Sequence, residues 1–266
     1  MNSAMRSALR STLFTLVVTV AGLAHAQISA PATSRLDTFA QSPEAFGLVI
    51  YRGNTFAQTE ASTEPLFRYE RRVATTASGL SAAHATRDLK GNLLIVESAV
   101  TTADYGLIRL DIVNHQVGYR GSVRVENNGR RLAYLLHDNG KASTATEDVT
   151  DPVVSGPSMF GFILKNWDVL KTGVLMPVRV IVLKDKTSYG FDIRMEQPTN
   201  GQTVFSVTPN SFLIRLAVAP LKVVFDTATK TAIRYEGRVP PMQSVAGKLK
   251  DLDARVEYTS VASAYR

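Results

Sequence analysis

The sequence predicts a mainly β protein in which a curved antiparallel sheet, a half-barrel or open barrel, wraps around one central helix. Two observations indicate the strands: apolar and polar residues alternate along most of the chain, and Asn-Gly pairs separate the alternating runs. A third indicates the helix, because only residues 157–171 carry their apolar side chains at convincing helical spacing.

The strands before the helix are predicted as an antiparallel meander over about residues 45–150. Residues 107–112 and 119–126 each alternate between an apolar and a polar face, as strands with one wet side do. Asn128-Gly129 and Asn139-Gly140 follow such runs, and both residue types tolerate the positive φ of a two-residue hairpin turn.

Alternation resumes after the helix. It is clear over 188–196, and a third Asn-Gly pair stands at 200–201. Further strands are predicted at about 203–208, 211–218, 221–226, 231–238 and 254–261.

The apolar residues of the predicted helix cover an arc of roughly 200° at 100° per residue. They are Met159, Phe160, Phe162, Ile163, Leu164, Trp167, Val169 and Leu170, with Gly161, Lys165 and Asp168 on the opposite side. Pro157 suits the first turn and Gly173 the C-terminal cap. A helix this apolar, set between two antiparallel runs, is most economically buried in the concave face of a strongly curved sheet.

The N-terminus predicts export. A polar start with Arg6 and Arg10 precedes the apolar run 13–23 and the small-residue signal Ala24-His25-Ala26. We therefore expect a signal peptide over 1–26, cleaved after Ala26, and a periplasmic or secreted protein. Residues 27–44 are predicted as a flexible lead segment and 45–266 as a single β-rich domain. The apolar run is too short to span a bilayer, and no longer one follows, so no transmembrane segment is predicted.

Composition excludes several classes of function. The chain contains no cysteine, which excludes disulfides, thiolate metal sites and a lipid anchor on cysteine. Without residues 1–26 it has 28 basic and 23 acidic residues, a net charge of +5. The basic groups are scattered among acids rather than gathered on one segment, which argues against nucleic-acid binding.

No segment has the pattern of a known catalytic motif. Residues 156–161 superficially resemble a nucleophile elbow, but Phe160 stands where that motif needs glycine. The expected role of Ser158 is therefore to bind a backbone N–H in the first helical turn. No cofactor is predicted.

Histidines and carboxylates give no metal site either. His84, His115 and His137 lack ligand spacing and are expected at the surface or at strand edges. A carboxylate pair for glycoside chemistry could come from the acidic group before the helix, but the helix dipole and solvation explain it more simply. That group is Glu147, Asp148 and Asp151.

The apolar side of the helix is the candidate ligand site. In a closed, filled barrel these side chains would be core, whereas in an open half-barrel a gap beside them could admit an acyl chain. The residues concerned are Met159, Phe160, Phe162, Ile163 and Trp167.

A second candidate is a partner-binding rim in residues 235–241. The pair Pro240-Pro241 predicts the end of a strand, since proline cannot continue a ladder. Alternatively, this stretch forms a rigid rim that presents Glu236 and Arg238 to a partner.

The region from Val149 to Pro241 resembles a known family. The resemblance lies in Asp151-Pro152, the helix that ends before Gly173, the paired strands after it, and the closing residues 234–241. In these features the chain is similar to the uncharacterised exported bacterial proteins of the DUF3108 type. Proteins of that family look like half-barrel relatives of the periplasmic lipoprotein carriers and of the outer-membrane receptor of those carriers. The likeness covers about a third of the chain and implies no catalytic residues.

Three hypotheses of function follow. By resemblance, the protein binds or chaperones an apolar envelope ligand, a lipid or a lipoprotein acyl chain, without catalysis. Alternatively, it is an assembly or interaction factor that binds another envelope protein on its curved sheet. As a third possibility, it hydrolyses a cell-surface polymer through carboxylates that the sequence does not pair.

Overall fold

One curved, unclosed sheet of fifteen strands dominates the computed structural model, which describes residues 43–58, 62–77, 79–216 and 218–261. The predicted signal peptide lies outside the described residues, as does all but the end of the predicted lead segment. The predicted fold class, a mainly β protein with a curved sheet around a central helix, is confirmed.

The strands fall into two arms of the sheet. The first arm contains β1 Leu48–Ala57, β2 Phe67–Thr76, β3 Gly79–Arg87, β4 Leu93–Thr101, β5 Leu107–Asn114, β6 Tyr119–Glu126, β7 Arg131–Asp138 and β8 Lys141–Asp148. The second contains β9 Val153–Val154, β10 Met176–Val182, β11 Thr187–Met195, β12 Gln202–Pro209, β13 Leu221–Asp226, β14 Ala232–Val245 and β15 Lys248–Ser260.

Strand order follows the chain in each arm, so the predicted meander is confirmed. The arms meet in the middle of the sheet, where the first and last strands of the chain order pair, with Tyr51 of β1 opposite Ser260 of β15. All pairs are antiparallel except β9 with β10.

Two of the three Asn-Gly pairs form the expected two-residue turns. Asn139 and Gly140 have φ of 49° and 76° between β7 and β8, and Asn200 and Gly201 have φ of 53° and 74° between β11 and β12. The third pair belongs to a longer 3₁₀ turn, Asn127–Gly129.

The central helix has two parts. Helix α1 spans Gly156–Lys165 and α2 spans Trp167–Leu170, interrupted at Asn166. The side-chain amide of Asn166 donates to the Phe162 carbonyl at 2.8 Å, in competition with a continuing helical ladder. Gly173, with φ of 86°, donates its N–H to the Leu170 carbonyl at 3.0 Å, so the predicted C-terminal cap is confirmed.

One predicted strand is wrong. Residues 211–218 contain a short helix, α3 Phe212–Arg215, rather than a strand. The segment is apolar at nearly every position, a pattern that a buried strand shares with other structures. Here it is the connection between β12 and β13, which pair with each other from Val207 and Leu221 onward.

The double proline does not end its strand, contrary to the prediction. Strand β14 continues to Val245, and Pro240-Pro241 lie in an irregularity of the ladder with β15, between Val239 and Gln243. The pairing of β14 with β13 ends at Glu236. The prolines therefore lose no ladder hydrogen bond, and a bulge accommodates them.

Several side chains join the two arms, and we call two of these contacts clasps. In the first clasp, Glu147 of β8 accepts hydrogen bonds from Arg179 of β10 at 2.7 Å and from the Ser188 N–H and hydroxyl of β11 at 2.8 and 2.9 Å. In the second, the Gln116 amide donates to the Met242 carbonyl at 2.7 Å and accepts from its N–H at 2.8 Å. The first clasp thus links the edge strand β8 to β10 and β11 across the open side of the sheet, and the second links the β5–β6 turn to β14.

Candidate ligand-binding site

The predicted ligand residues lie together in one buried apolar cluster. Met159, Phe160, Phe162, Ile163 and Trp167 are 7, 3, 8, 0 and 6 % exposed. The cluster also contains Ile50 and Tyr51 of the first arm and Phe205, Phe225 and other side chains of the second. The helix therefore fills the space between the arms with most of the face that the sequence predicts to be apolar, whereas Val169 of that face is 51 % exposed on α2.

Trp167 contacts the second arm. Its ring centroid lies 5.0 Å from that of Phe205 and 5.6 Å from that of Phe225, both edge to face. The ammonium of Lys230 lies 5.0 Å from the centroid of the indole. The indole is therefore in contact with the apolar cluster on one side and with a surface cation on another.

Phe160 contacts residues of both arms. Its ring centroid lies 5.9 Å from that of Phe225, 6.4 Å from that of Tyr51 and 5.6 Å from that of Tyr258. The guanidinium carbon of Arg71 lies 5.1 Å from the Phe160 centroid, and the His84 ring lies at 6.3 Å. One side chain thus adjoins both the apolar cluster and a group of buried polar residues.

That group is a row of three polar side chains across neighbouring strands, which we call the polar row. Arg71 of β2 is opposite His84 of β3, and His84 is opposite Glu97 of β4. Arg71, only 1 % exposed, donates to the Pro157 carbonyl at 2.8 Å, and its Nη1 lies 2.6 Å from His84 Nε2. The row therefore holds the first turn of α1 against the first arm.

Burial sets the protonation of this row. It raises the pKa of the Glu97 carboxyl to about 7, and burial together with the charge of Arg71 holds the pKa of His84 well below its usual value. His84 is thus neutral near pH 7, and its Nε2 accepts the hydrogen bond from Arg71. The predicted location of His84, at the surface or at a strand edge, is wrong, since it is 9 % exposed within β3 and paired with strands on both sides.

The first residue of α1 is placed close to the row. A Cβ added at Gly156 would lie 3.6 Å from Glu97 Oε2 and 3.8 Å from His84 Nδ1. A methyl group at this position would thus make ordinary van der Waals contact with both side chains, which shows how near they are to the start of the helix. The ionisable groups face the helix start, and Ser158 there accepts the Ser155 N–H at 2.9 Å, which confirms its predicted role.

Tyrosines surround the polar row on its other side. Tyr69 lies 4.9 Å from the His84 ring and 5.2 Å from the Tyr258 ring, centroid to centroid. Tyr235 and Tyr258 are partly buried, and each packs against both the central apolar cluster and a smaller one on β14 and β15. Burial raises the pKa of both phenols. The site is thus apolar along the helix and polar-aromatic at the helix start.

The β4–β5 loop lies across the helix. A Cβ added at Gly161 would lie 2.2 Å from Cδ1 of Tyr105, so only glycine admits this ring. Lys165 donates to Asp104 of the same loop at 2.6 Å. The side of the helix opposite the apolar arc, predicted as polar, is therefore partly covered, and Gly161 is buried.

The predicted rim residues lie on β14. Glu236 accepts from Arg234 at 2.7 Å, and Arg238 pairs with Asp251 and Asp253, each at 2.8 Å. Both charges are thus partnered within the β14–β15 region. Glu147, considered above as a carboxylate at the approach to the helix, is instead part of the first clasp.

No family model, curated protein or solved structure matches this chain. None of the helices in the described residues has the length and apolar content to cross a membrane. The same residues contain no cluster of three or more His, Asp or Glu side chains that could hold a metal ion.

The polar row was missed by sequence reasoning, although a signal was present. Arg71, His84 and Glu97 are each separated by 13 residues, and strands of nine or ten residues with short turns bring such positions side by side. A repeat of polar residues at the period of a meander therefore indicates a row across the sheet.

Proposed function

We propose that this protein binds one amphiphile, the acyl chain of a lipid or lipoprotein with its polar end, between α1 and the curved sheet. It acts by binding and not by catalysis, in an exported compartment. The chain would lie along the apolar side of α1, and the polar end would lie near the polar row.

The contacts of Phe160 carry this proposal. Its ring adjoins Arg71 and His84 on one side and the apolar cluster on the other. A ligand that separates α1 from the sheet at this ring would meet both environments at once, as an amphiphile requires. Each buried methylene of the chain would contribute about 0.8 kcal/mol, so a long chain can offset the contacts that it displaces.

Access between the arms is consistent with the proposal. In the described residues the backbone ladder joins the arms at β1 and β15, whereas the clasps join them elsewhere through side chains alone. Separating side chains disrupts fewer hydrogen bonds than unzipping a pair of strands. The ligand would therefore enter when a clasp opens.

Fluorescence of Trp167, the only tryptophan, tests the proposal. On delipidated protein, a long-chain fatty acid or phospholipid should quench or shift its emission in a saturable way. Phe162→Glu should weaken the response, because a carboxylate in an apolar site must be desolvated or protonated. Lys171→Glu, on the exposed end of the same segment, is the matched control.

Circular dichroism of each variant separates lost binding from lost structure. Because Phe162→Glu can unfold the chain, Phe162→Leu provides a milder change that keeps the site apolar and should alter affinity without abolishing it. If folded, delipidated protein shows no saturable change with any of these lipids, the proposal is wrong and the cluster is simply core.

The long β14–β15 hairpin favours a second candidate function, binding of another envelope protein. Its end extends past the last pair between β13 and β14, and Val245 and Leu249 are exposed there. A partner protein could pack against these exposed apolar side chains at the end of the hairpin. Cross-linking from Leu249 in the native envelope would identify such a partner.

A further inference from the structure

The connection between β12 and β13 exposes three large apolar side chains on and beside α3. Phe212, Leu213 and Leu216 are 70, 74 and 72 % exposed. Ile214 and Val218 of the same connection turn the other way and pack against the central apolar cluster. The segment is thus anchored on its inner side and apolar on its outer side.

The exposure does not come from a loose chain. Arg215 donates through Nε to the Pro209 carbonyl at 2.6 Å, and the Arg215 N–H binds the Ser211 carbonyl at 3.1 Å. These bonds fix α3 at the end of β12. The outward direction of its apolar side chains is therefore built into the fold.

The charged residues near α3 in the sequence are basic, and Glu236, which lies opposite Lys222 on β14, is already paired with Arg234. No acidic residue occurs between Pro209 and Phe225, whereas Arg215 and Lys222 are both present and exposed. Apolar side chains beside basic ones are the composition of segments that lie in the interface of an anionic membrane.

The size of the patch also favours a membrane over a protein. Three such side chains offer on the order of 400 Å² of surface, whereas a stable protein interface needs about 800 Å² on each partner. A bilayer requires no shape complementarity, so a small apolar projection suffices for reversible binding.

We infer that α3 is a membrane-docking surface, which inserts Phe212, Leu213 and Leu216 into the interface of a bilayer containing anionic lipid, with Arg215 and Lys222 beside the headgroups. This goes beyond the proposed function, since such a surface would dock whether or not an acyl chain enters the core.

The test places a second tryptophan on α3. Phe212→Trp is compared with Leu48→Trp, whose site on β1 is equally exposed at 75 %. The vesicles contain equal parts of phosphatidylglycerol and phosphatidylcholine, with brominated acyl chains that quench tryptophan. The emission of the unsubstituted protein, which comes from Trp167, is subtracted to leave that of the introduced tryptophan. The added emission should fall about twofold in Phe212→Trp and stay unchanged in Leu48→Trp. Arg215→Gln, added to Phe212→Trp, should raise the lipid concentration needed for half of this effect.

Equal quenching at both sites, or none at either, would overturn the inference. The inference would also be wrong if the emission of the tryptophan introduced at position 212 changed with protein concentration but not with vesicles. That result would mean that α3 contacts a second copy of the chain. Acyl-chain binding is read from Trp167 with free fatty acid, without vesicles, so the two proposals can fail independently.

Discussion

Arg71 is the residue that ties the helix to the sheet. A guanidinium is always charged, and here it is almost wholly removed from water. Its partners include a carbonyl in the first turn of α1 and a neutral histidine, both of which accept hydrogen bonds from it. Loss of Arg71 would leave these acceptors buried without their donor, and would therefore destabilise both the start of α1 and its contact with β3.

Glu97 gives stability a specific pH dependence. Its pKa is raised by burial from 4.5 to about 7, so its contribution to stability is present below pH 4.5 and is lost as pH rises through 7. Glu97→Gln mimics the protonated form and removes this loss. The free energy of unfolding of the variant minus that of wild type should therefore increase by up to about 1.4 kcal/mol per pH unit over this window.

Urea denaturation at pH 5, 6, 7 and 8 measures this difference. The lowered pKa of His84 has the opposite effect, since its contribution is lost as pH falls below 6.5, but both proteins contain His84 and its contribution cancels. If the difference in unfolding free energy stays constant across the four pH values, the pKa of Glu97 is not raised to about 7.

Trp167 tests the burial of the helix. Trp167→Ala should cost about 3–5 kcal/mol, because the indole fills space between the helix, Phe205 and Phe225. Val169→Ala, on the exposed side of α2, is the control and should cost less than about 1 kcal/mol. A denaturant midpoint for Trp167→Ala that shifts no more than that of the control would contradict the buried position.

At the level of elements, the β4–β5 loop holds α1 from the side opposite the sheet. Tyr105 has φ of 63°, which is unfavourable for a bulky residue, and its ring lies directly over Gly161. Strain of this kind persists where the surrounding structure fixes it. The helix is therefore held by the polar row at its start and by this loop at its middle.

A double-mutant cycle separates this contact from helix propensity. Gly161→Ala should destabilise the protein by about 1–3 kcal/mol, since a methyl group cannot fit under the ring. In a Tyr105→Gly background the same change should be neutral or stabilising, because alanine favours helix over glycine. Thermal denaturation of the four proteins gives the coupling, and additive effects would disprove the contact.

The elements that the sequence predicts correctly are those with local signals. Asn139-Gly140, Pro157 and Gly173 each require a backbone conformation that their own residue types favour. By contrast, the position of His84 depends on the register of three strands, and the tolerance of Pro240 depends on where β13 stops. These features are set by tertiary pairing, which local pattern does not encode. The predicted ligand residues are brought together as expected, and their ligand stays a prediction.

At the scale of the whole molecule, the first clasp joins strands from different arms. Glu147→Ala would remove the carboxylate that accepts hydrogen bonds from Arg179, Ser188 and the Tyr134 hydroxyl. The partly buried guanidinium of Arg179 would then lack its counter-ion. Hydrogen exchange should speed up in β8, β10 and β11, with a loss of about 2–4 kcal/mol in stability. Asp148→Ala, at the exposed neighbouring position, should leave exchange unchanged. Equal exchange in both variants would show that the clasp does not hold the arms.

The pairing of β1 with β15 has a consequence for how the molecule is made. Tyr51 and Ser260, opposite each other near the middle of the strand order, are separated by most of the chain. Closing so long a loop is entropically unfavourable and slow, and it cannot happen before the last strand has been synthesised. The nascent chain therefore lacks its central ladder until β15 has been synthesised, and up to that point the two arms can form only as separate meanders.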